Sequence, residues 1–291
     1  MSRPGLLLLV DLDGVLYRGA EPVPGVAAVL ATRAARGDDV VYVTNNSMWY
    51  RADYVDRIAG LGAPVSADRI VSSPRATALY LRDHEPLIRH VLTVGGSGMD
   101  RELADAGFRV TRAADIGERI RGSGIEGTDG ANGWEVAGRP EAVVVGLDPG
   151  IDYLRLTVAT DCVRAGARFI ATNRDPVYPT ERAVRPGAGA IVAAVETASG
   201  VTPTSIGKPA PYLLEEAARA VGREPREAVM IGDGIGTDIA AAIAVGARSI
   251  LMLTGVTTRA LLDAAPAEQR PTAVAADAPE LAAILNRIGG G

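Results

Sequence analysis

Short runs of Val, Ile and Leu recur along the chain, and the stretches between them carry apolar residues at helical spacing. The runs are Leu6–Val10, Val40–Val43, Val91–Val94, Ala142–Val145, Phe169–Ala171, Ala228–Ile231 and Ser249–Leu253. They are too short for helices, and they are continuously apolar rather than alternating. A strand of that kind is buried on both faces, as in a parallel sheet covered by helices, so the pattern predicts an α/β fold. Four of the runs end in polar or glycine-bearing clusters: Asp11-Leu12-Asp13-Gly14, Thr44-Asn45-Asn46, Gly232-Asp233-Gly234 and Thr254-Gly255. Open α/β sheets bind ligands just beyond the carboxyl ends of their strands, which lets four loops converge on one site.

The segment between Asn46 and Gly207 contains strand runs of its own, so it is more than a crossover helix. The expected division is a core of residues 1–80 and 183–291 with an inserted domain over 81–182. Ser72-Ser73-Pro74 marks the way out, and Pro179 to Pro186 the return. Glycine-rich Arg121 to Gly133 is expected to be an exposed loop within the insert.

A length of 291 residues is compatible with two domains. With 30 basic against 35 acidic residues and aromatics at 4%, the chain lacks the basic, aromatic-interleaved stripe of a nucleic-acid binder. One cysteine allows no internal disulfide, and together with two histidines it is too little for a zinc cluster. A reducing cytoplasm is the expected location. The opening apolar run is far shorter than a membrane span, and Asp11 interrupts it; no membrane association is expected.

Asp11 and Asp13 stand at the end of a buried strand, where ionised carboxylates need a cation. Mg²⁺ prefers oxygen ligands, so the pair suits a metal and phosphate site, one carboxylate attacking phosphorus and the other handling protons. Taken alone, Asp-x-Asp-Gly is as readily a solvated turn. Thr44 and Asn45 offer a hydroxyl and an amide to phosphoryl oxygens at a second strand end, although both residue types also cap helices. Lys208 lies between Gly207 and Pro209, ahead of a helix expected to end near Gly222, and could neutralise a carboxylate and a phosphoryl group together. Asp233 closes an apolar strand as Asp11 does, and Asp238 stands where it can cap the next helix. Gly232, Gly234 and Gly236 alternate as in a dinucleotide-binding turn, but Thr237 occupies the position of the required third glycine. No Walker phosphate loop is present, since Pro209 follows Lys208, and Gly95-Gly96-Ser97-Gly98-Met99 falls short of a nucleophile elbow.

In this order Asp11-Leu12-Asp13-Gly14-Val15-Leu16, Thr44-Asn45-Asn46-Ser47, Gly207-Lys208-Pro209 and Gly232-Asp233 with Asp238 closely resemble the four motifs of the haloacid dehalogenase superfamily. The chain is most similar to the branch of 4-nitrophenylphosphatase, NagD-type and pyridoxal phosphate phosphatase enzymes. That resemblance implies a Rossmann-like parallel-sheet core with a large inserted α/β cap of the C2 type. It implies a Mg²⁺-dependent phosphatase acting on a small phosphomonoester through an aspartyl-phosphate. Asp11 would be the nucleophile and Asp13 the acid and base, with Thr44 and Lys208 holding the phosphoryl group. The ion would be bound by the Asp11 side chain, the Asp13 carbonyl and Asp233, supported by Asp238. Thr172-Asn173-Arg174-Asp175-Pro176 resembles the segment where the cap faces substrate, so the implied substrate-binding set is Gly14, Asn45, Asn46, Asn173 and Asp175. A homodimer through the cap is expected by analogy. Gly234, Gly236 and Trp49 depart from the family pattern. A phosphoryl-ligand binding protein without turnover, and a phosphonatase or phosphotransferase of the same superfamily, remain as alternatives.

Overall fold

All seven apolar runs are strands, and every ladder that joins them is parallel. The computed structural model describes residues 5–122, 132–179 and 183–290. Contacts divide the chain into two units, Met1–Thr44 with Arg51–Ser72 and Lys208–Gly291, and Asn45–Tyr50 with Ser73–Gly207.

The first unit is built on a six-stranded sheet in the order Ala273–Ala275, Arg248–Met252, Ala228–Gly232, Leu7–Asp11, Asp39–Thr44, Ile70–Ser72. Side chains alternate across a strand, so Leu8 and Val10 point to one face and Leu7 and Leu9 to the other, and all four are buried. The first face packs on the helices Val26–Ala35, Arg51–Gly60 and Ala278–Gly289 through Leu30, Ile58 and Leu281. The helix Tyr212–Arg219 covers the other face over the Leu7–Asp11 and Asp39–Thr44 strands. Because the strands are parallel and Leu7–Asp11 lies between Ala228–Gly232 and Asp39–Thr44, the carboxyl ends bearing Asp11, Thr44 and Asp233 adjoin on one edge.

The second unit holds a five-stranded parallel sheet, ordered Thr204–Ser205, Arg168–Ala171, Ala142–Val145, His90–Val94, Arg109–Arg112. Its core joins Leu92, Val143 and Phe169 to Val158 and Val192 of the helices Tyr153–Arg164 and Ala188–Ser199. This unit extends beyond the expected 81–182 on both sides. The helix Ser73–His84 packs on Ser97–Asp105, Ala188–Ser199 buries Ile191, Val192 and Val195 in the second core, and Thr204–Ser205 lengthens the second sheet. The loop expected over 121–133 lies largely outside the described residues. Strands absent from the apolar pattern are short or at sheet edges: Ile70–Ser72, Ala273–Ala275, and Arg109–Arg112, whose polar side chains leave it partly exposed.

Leu8 is fully buried in the first core, whereas Leu87 is 89% exposed. Leu8→Ala is expected to cost roughly 2–5 kcal/mol, and Leu87→Ala less than about 0.5 kcal/mol, in urea denaturation of the two variants.

Candidate active site

Asp11 is the last residue of its strand, and the chain turns immediately after it. Gly14, at φ 82°, permits the turn; its amide donates to the Tyr17 carbonyl at 2.7 Å, and the Leu16 amide donates to Leu12 at 2.9 Å. Asp13 sits within this turn while Asp11 stays at the buried strand end. Thr44 closes the neighbouring strand and is buried. On the other side Asp233 follows Ala228–Gly232, and the next residues form a π-helical turn, Ile235–Ile239. The extra residue in that turn brings Asp238 back beneath Asp233, where its Oδ2 accepts from the amides of Asp233 at 3.0 Å and Gly234 at 2.9 Å. A Cβ on Gly234 would come 2.1 Å from the Thr237 hydroxyl, so that hydroxyl would have to turn aside for any larger residue.

Lys208 joins these strand ends. Its Nζ donates to Asp11 Oδ1 at 2.5 Å and to Asp238 Oδ1 at 2.7 Å. Carboxylate oxygens of Asp11, Asp233 and Asp238 lie within 4.8 Å of one another. All four side chains are buried, so three carboxylates face a single ammonium in a medium that screens them poorly.

The titration behaviour follows from that imbalance. Burial would lower the Lys208 pKa, but Asp11 and Asp238 outweigh it and hold the ammonium charged. Asp11 is raised well above the carboxylate range, first by burial and then by the charges of Asp238 and Asp233, and Lys208 offsets only part of this. Asp233 is pushed up to about 6, chiefly by burial and then by Asp238. Asp13 is also raised by desolvation, against the opposing charges of Arg57 and Lys208, although its residue surface remains open to solvent.

The other expected site residues fall in the second unit and assemble there. Asn45 Nδ2 donates to both oxygens of Asp175, at 3.1 and 3.2 Å, and the Asn173 amide donates to the Asn45 carbonyl at 2.7 Å. Asn46 Oδ1 accepts the Met48 amide at 2.9 Å, closing a local turn. Asn45, Asn46, Asn173, Asp175 and Tyr178 line a cavity of about 30 Å³, enough for a water molecule. Gly14 belongs instead to the acidic cluster, for a Cβ on it would come 2.2 Å from Asp233 Oδ2.

Two contributors had no role in the sequence reading. The Val256 amide donates to Asp233 Oδ2 at 2.6 Å, from the turn begun by Thr254-Gly255. Arg57 stacks its guanidinium over the Tyr17 ring at 3.5 Å. Thr254-Gly255 was visible as a strand-end cluster, but nothing local announces which distant carboxylate it meets.

Two family models match the chain: haloacid dehalogenase-like hydrolase over residues 8–109 and HAD-hydrolase-like over residues 205–281. Phosphoglycolate phosphatase 2 of Arabidopsis thaliana is 37% identical over 264 residues, covering 88% of this chain and 85% of the relative. The chain belongs to the haloacid dehalogenase-like hydrolases. Among solved members of this superfamily, a p-nitrophenyl phosphatase from Archaeoglobus fulgidus superposes with a TM-score of 0.81 at 28% identity, over 97% of this chain and 100% of that one. A glycerol phosphate phosphatase from Mycobacterium tuberculosis in complex with magnesium superposes with a TM-score of 0.78 at 33% identity, over 95% of this chain and 76% of that one. The neighbours place this hydrolase in the NagD-type, 4-nitrophenylphosphatase-like branch.

A carboxyl whose folded pKa lies above its unfolded value contributes stability below the unfolded pKa and loses it as pH rises through the folded one. For Asp233 that window runs from the ordinary carboxylate value of 3.8 up to about 6. Asp233→Asn is therefore expected to stabilise the protein in EDTA at pH 7.5, by an amount on the order of 2 kcal/mol, and to give no gain at pH 4. Thermal melts at the two pH values check it, and an equal effect at both would be inconsistent with the charge imbalance.

Proposed function

We propose that this hydrolase cleaves small phosphomonoesters through an aspartyl-phosphate formed on Asp11, with Mg²⁺ as its cofactor. The chain is a phosphoric monoester hydrolase. The observation that carries the finer reading is Lys208, held between Asp11 and Asp238 with Asp233 alongside.

The donor set fits a hard divalent cation. Asp11, Asp233 and Asp238 are all oxygen donors, they are buried, and one ammonium leaves two negative charges unmatched. Asp11 and Asp233 would hold the ion together with the Asp13 carbonyl. Asp238, whose oxygens already serve Lys208 and two backbone amides, would support the arrangement. When bound, Mg²⁺ supplies positive charge for the phosphoryl oxygens and for the carboxylates around them.

The chain's own groups then divide the work. The Asp11 carboxylate oxygen attacks phosphorus, the bond from phosphorus to the ester oxygen breaks, and the Asp13 carboxyl gives its proton to that oxygen. Asp13, now ionised, takes a proton from water as that water attacks phosphorus, and the bond to Asp11 breaks to release phosphate. The raised pKa of Asp13 suits a group that must begin as an acid. The Thr44 hydroxyl and Lys208 bind the equatorial oxygens, and Lys208 keeps Asp11 aimed. The insert, with Asn45, Asn46, Asn173 and Asp175, supplies selectivity among substrates. Substrates of the size handled by the phosphoglycolate and glycerol phosphate phosphatases among the relatives are the first to screen. Among the described residues no helix is long and apolar enough to cross a membrane.

A phosphoryl-ligand binder without turnover has no use for a proton donor beside Asp11, so Asp13 favours the enzyme. Asp11→Asn is expected to lower Mg²⁺-dependent hydrolysis of p-nitrophenyl phosphate by about a thousandfold or more, with the melting temperature preserved. Retention of wild-type turnover in that variant would refute the covalent route, and cleavage only with an added acceptor would indicate a phosphotransferase.

A further inference from the structure

The turn after the Arg248–Met252 strand belongs to none of the four motifs, yet it closes around the acidic site. Thr254 Oγ1 donates to the Gly14 carbonyl at 2.6 Å. The Val256 amide donates to Asp233 Oδ2 at 2.6 Å. Gly255 approaches the same carboxylate so closely that a Cβ there would come 1.7 Å from Oδ2, and Gly14 walls off the other side. Asp233 thus sits in a slot between two stretches of glycine backbone. The Thr254 hydroxyl ties one wall to the other, across a sequence separation of 240 residues.

We infer that Thr254 is a positioning residue for the divalent cation. By tying Gly14 to the 254–256 turn it keeps the slot closed, so that Asp233 Oδ2 is committed to the Val256 amide and Oδ1 is the oxygen offered to the ion. The inference rests on the metal role of Asp233 proposed above. A carboxylate free to rotate must give up that freedom on binding, and it can present the wrong oxygen; a clamped one binds without either cost. The bond is a hydroxyl to a carbonyl, so serine can replace threonine and valine cannot. A purely structural tie would behave differently, lowering stability while leaving metal affinity where it was.

The test is calorimetric titration of the metal-free full chain with Mg²⁺, together with the Mg²⁺-induced rise in melting temperature, for wild type, Thr254→Val and Thr254→Ser. Thr254→Val is expected to weaken Mg²⁺ binding by about ten- to hundredfold and to raise the Mg²⁺ concentration for half-maximal activity in parallel. Its kcat at saturating Mg²⁺ should fall far less than its metal affinity, and Thr254→Ser should restore binding. Thr254→Val with wild-type Mg²⁺ affinity overturns the inference, whatever its melting temperature. Val256→Pro deletes the amide donor at an exposed position and is the second variant should Thr254→Val not fold; unchanged affinity there overturns the inference equally. A wild-type chain that binds no Mg²⁺, or one whose binding survives Asp233→Asn, sinks the metal reading and this inference together. Failure confined to the Thr254 and Val256 variants sinks the inference alone.

Discussion

Three carboxylates and one ammonium share a buried corner at the carboxyl edge of the first sheet, and the rest of the site is arranged around that unequal meeting. Removing Lys208 would leave buried carboxylates with no opposing charge, which costs far more than an exposed ion pair contributes. The chain tolerates the imbalance because each carboxylate is also served by backbone or by Lys208. Asp238 takes two amides, Asp233 takes the Val256 amide, and Asp11 takes the ammonium. The residual negative charge is what makes the cluster one that could hold a metal ion.

Backbone shape makes the corner possible. Parallel order alone brings Asp11, Thr44 and Asp233 to one edge, but it would leave their side chains about a strand spacing apart. The Gly14 turn, the π turn at Ile235–Ile239 and the close approach of Gly255 accompany a gathering of the Asp11, Asp233 and Asp238 oxygens to within 4.8 Å of one another. Each device is local and strained or crowded, and each lies beside the chemistry. Apolar packing of ordinary kind holds the strands beneath them, with Leu8, Val10 and Ile231 sealed on one face.

The second unit is a parallel sheet with its own core. In its polar group the Asn45 side chain donates to the Asp175 carboxylate and the Asn173 side chain donates to the Asn45 backbone carbonyl. The chemistry of phosphoryl transfer and the choice of leaving group can therefore be set by different stretches of the same chain.

Much was legible in the order of residues. The seven apolar runs marked buried parallel strands, because only such strands read as continuous hydrophobic sequence, and the polar clusters at their ends marked the reactive edge. Short and edge strands such as Arg109–Arg112 stayed hidden, since partial exposure removes the apolar signal. That the second unit reaches past the expected 81–182 was hidden for a related reason: nothing within Ala188–Ser199 says which sheet its apolar face will cover. Residue types and strand order by themselves singled out Asp11, Lys208, Asp233 and Asp238, the groups that meet in the buried corner. Only the tertiary structure decided that Lys208 bridges Asp11 and Asp238, and that the 254–256 turn and Gly14 close on Asp233, because these are contacts across about 20 to 240 residues of chain. Such contacts depend on strand register and turn geometry, which no local pattern encodes.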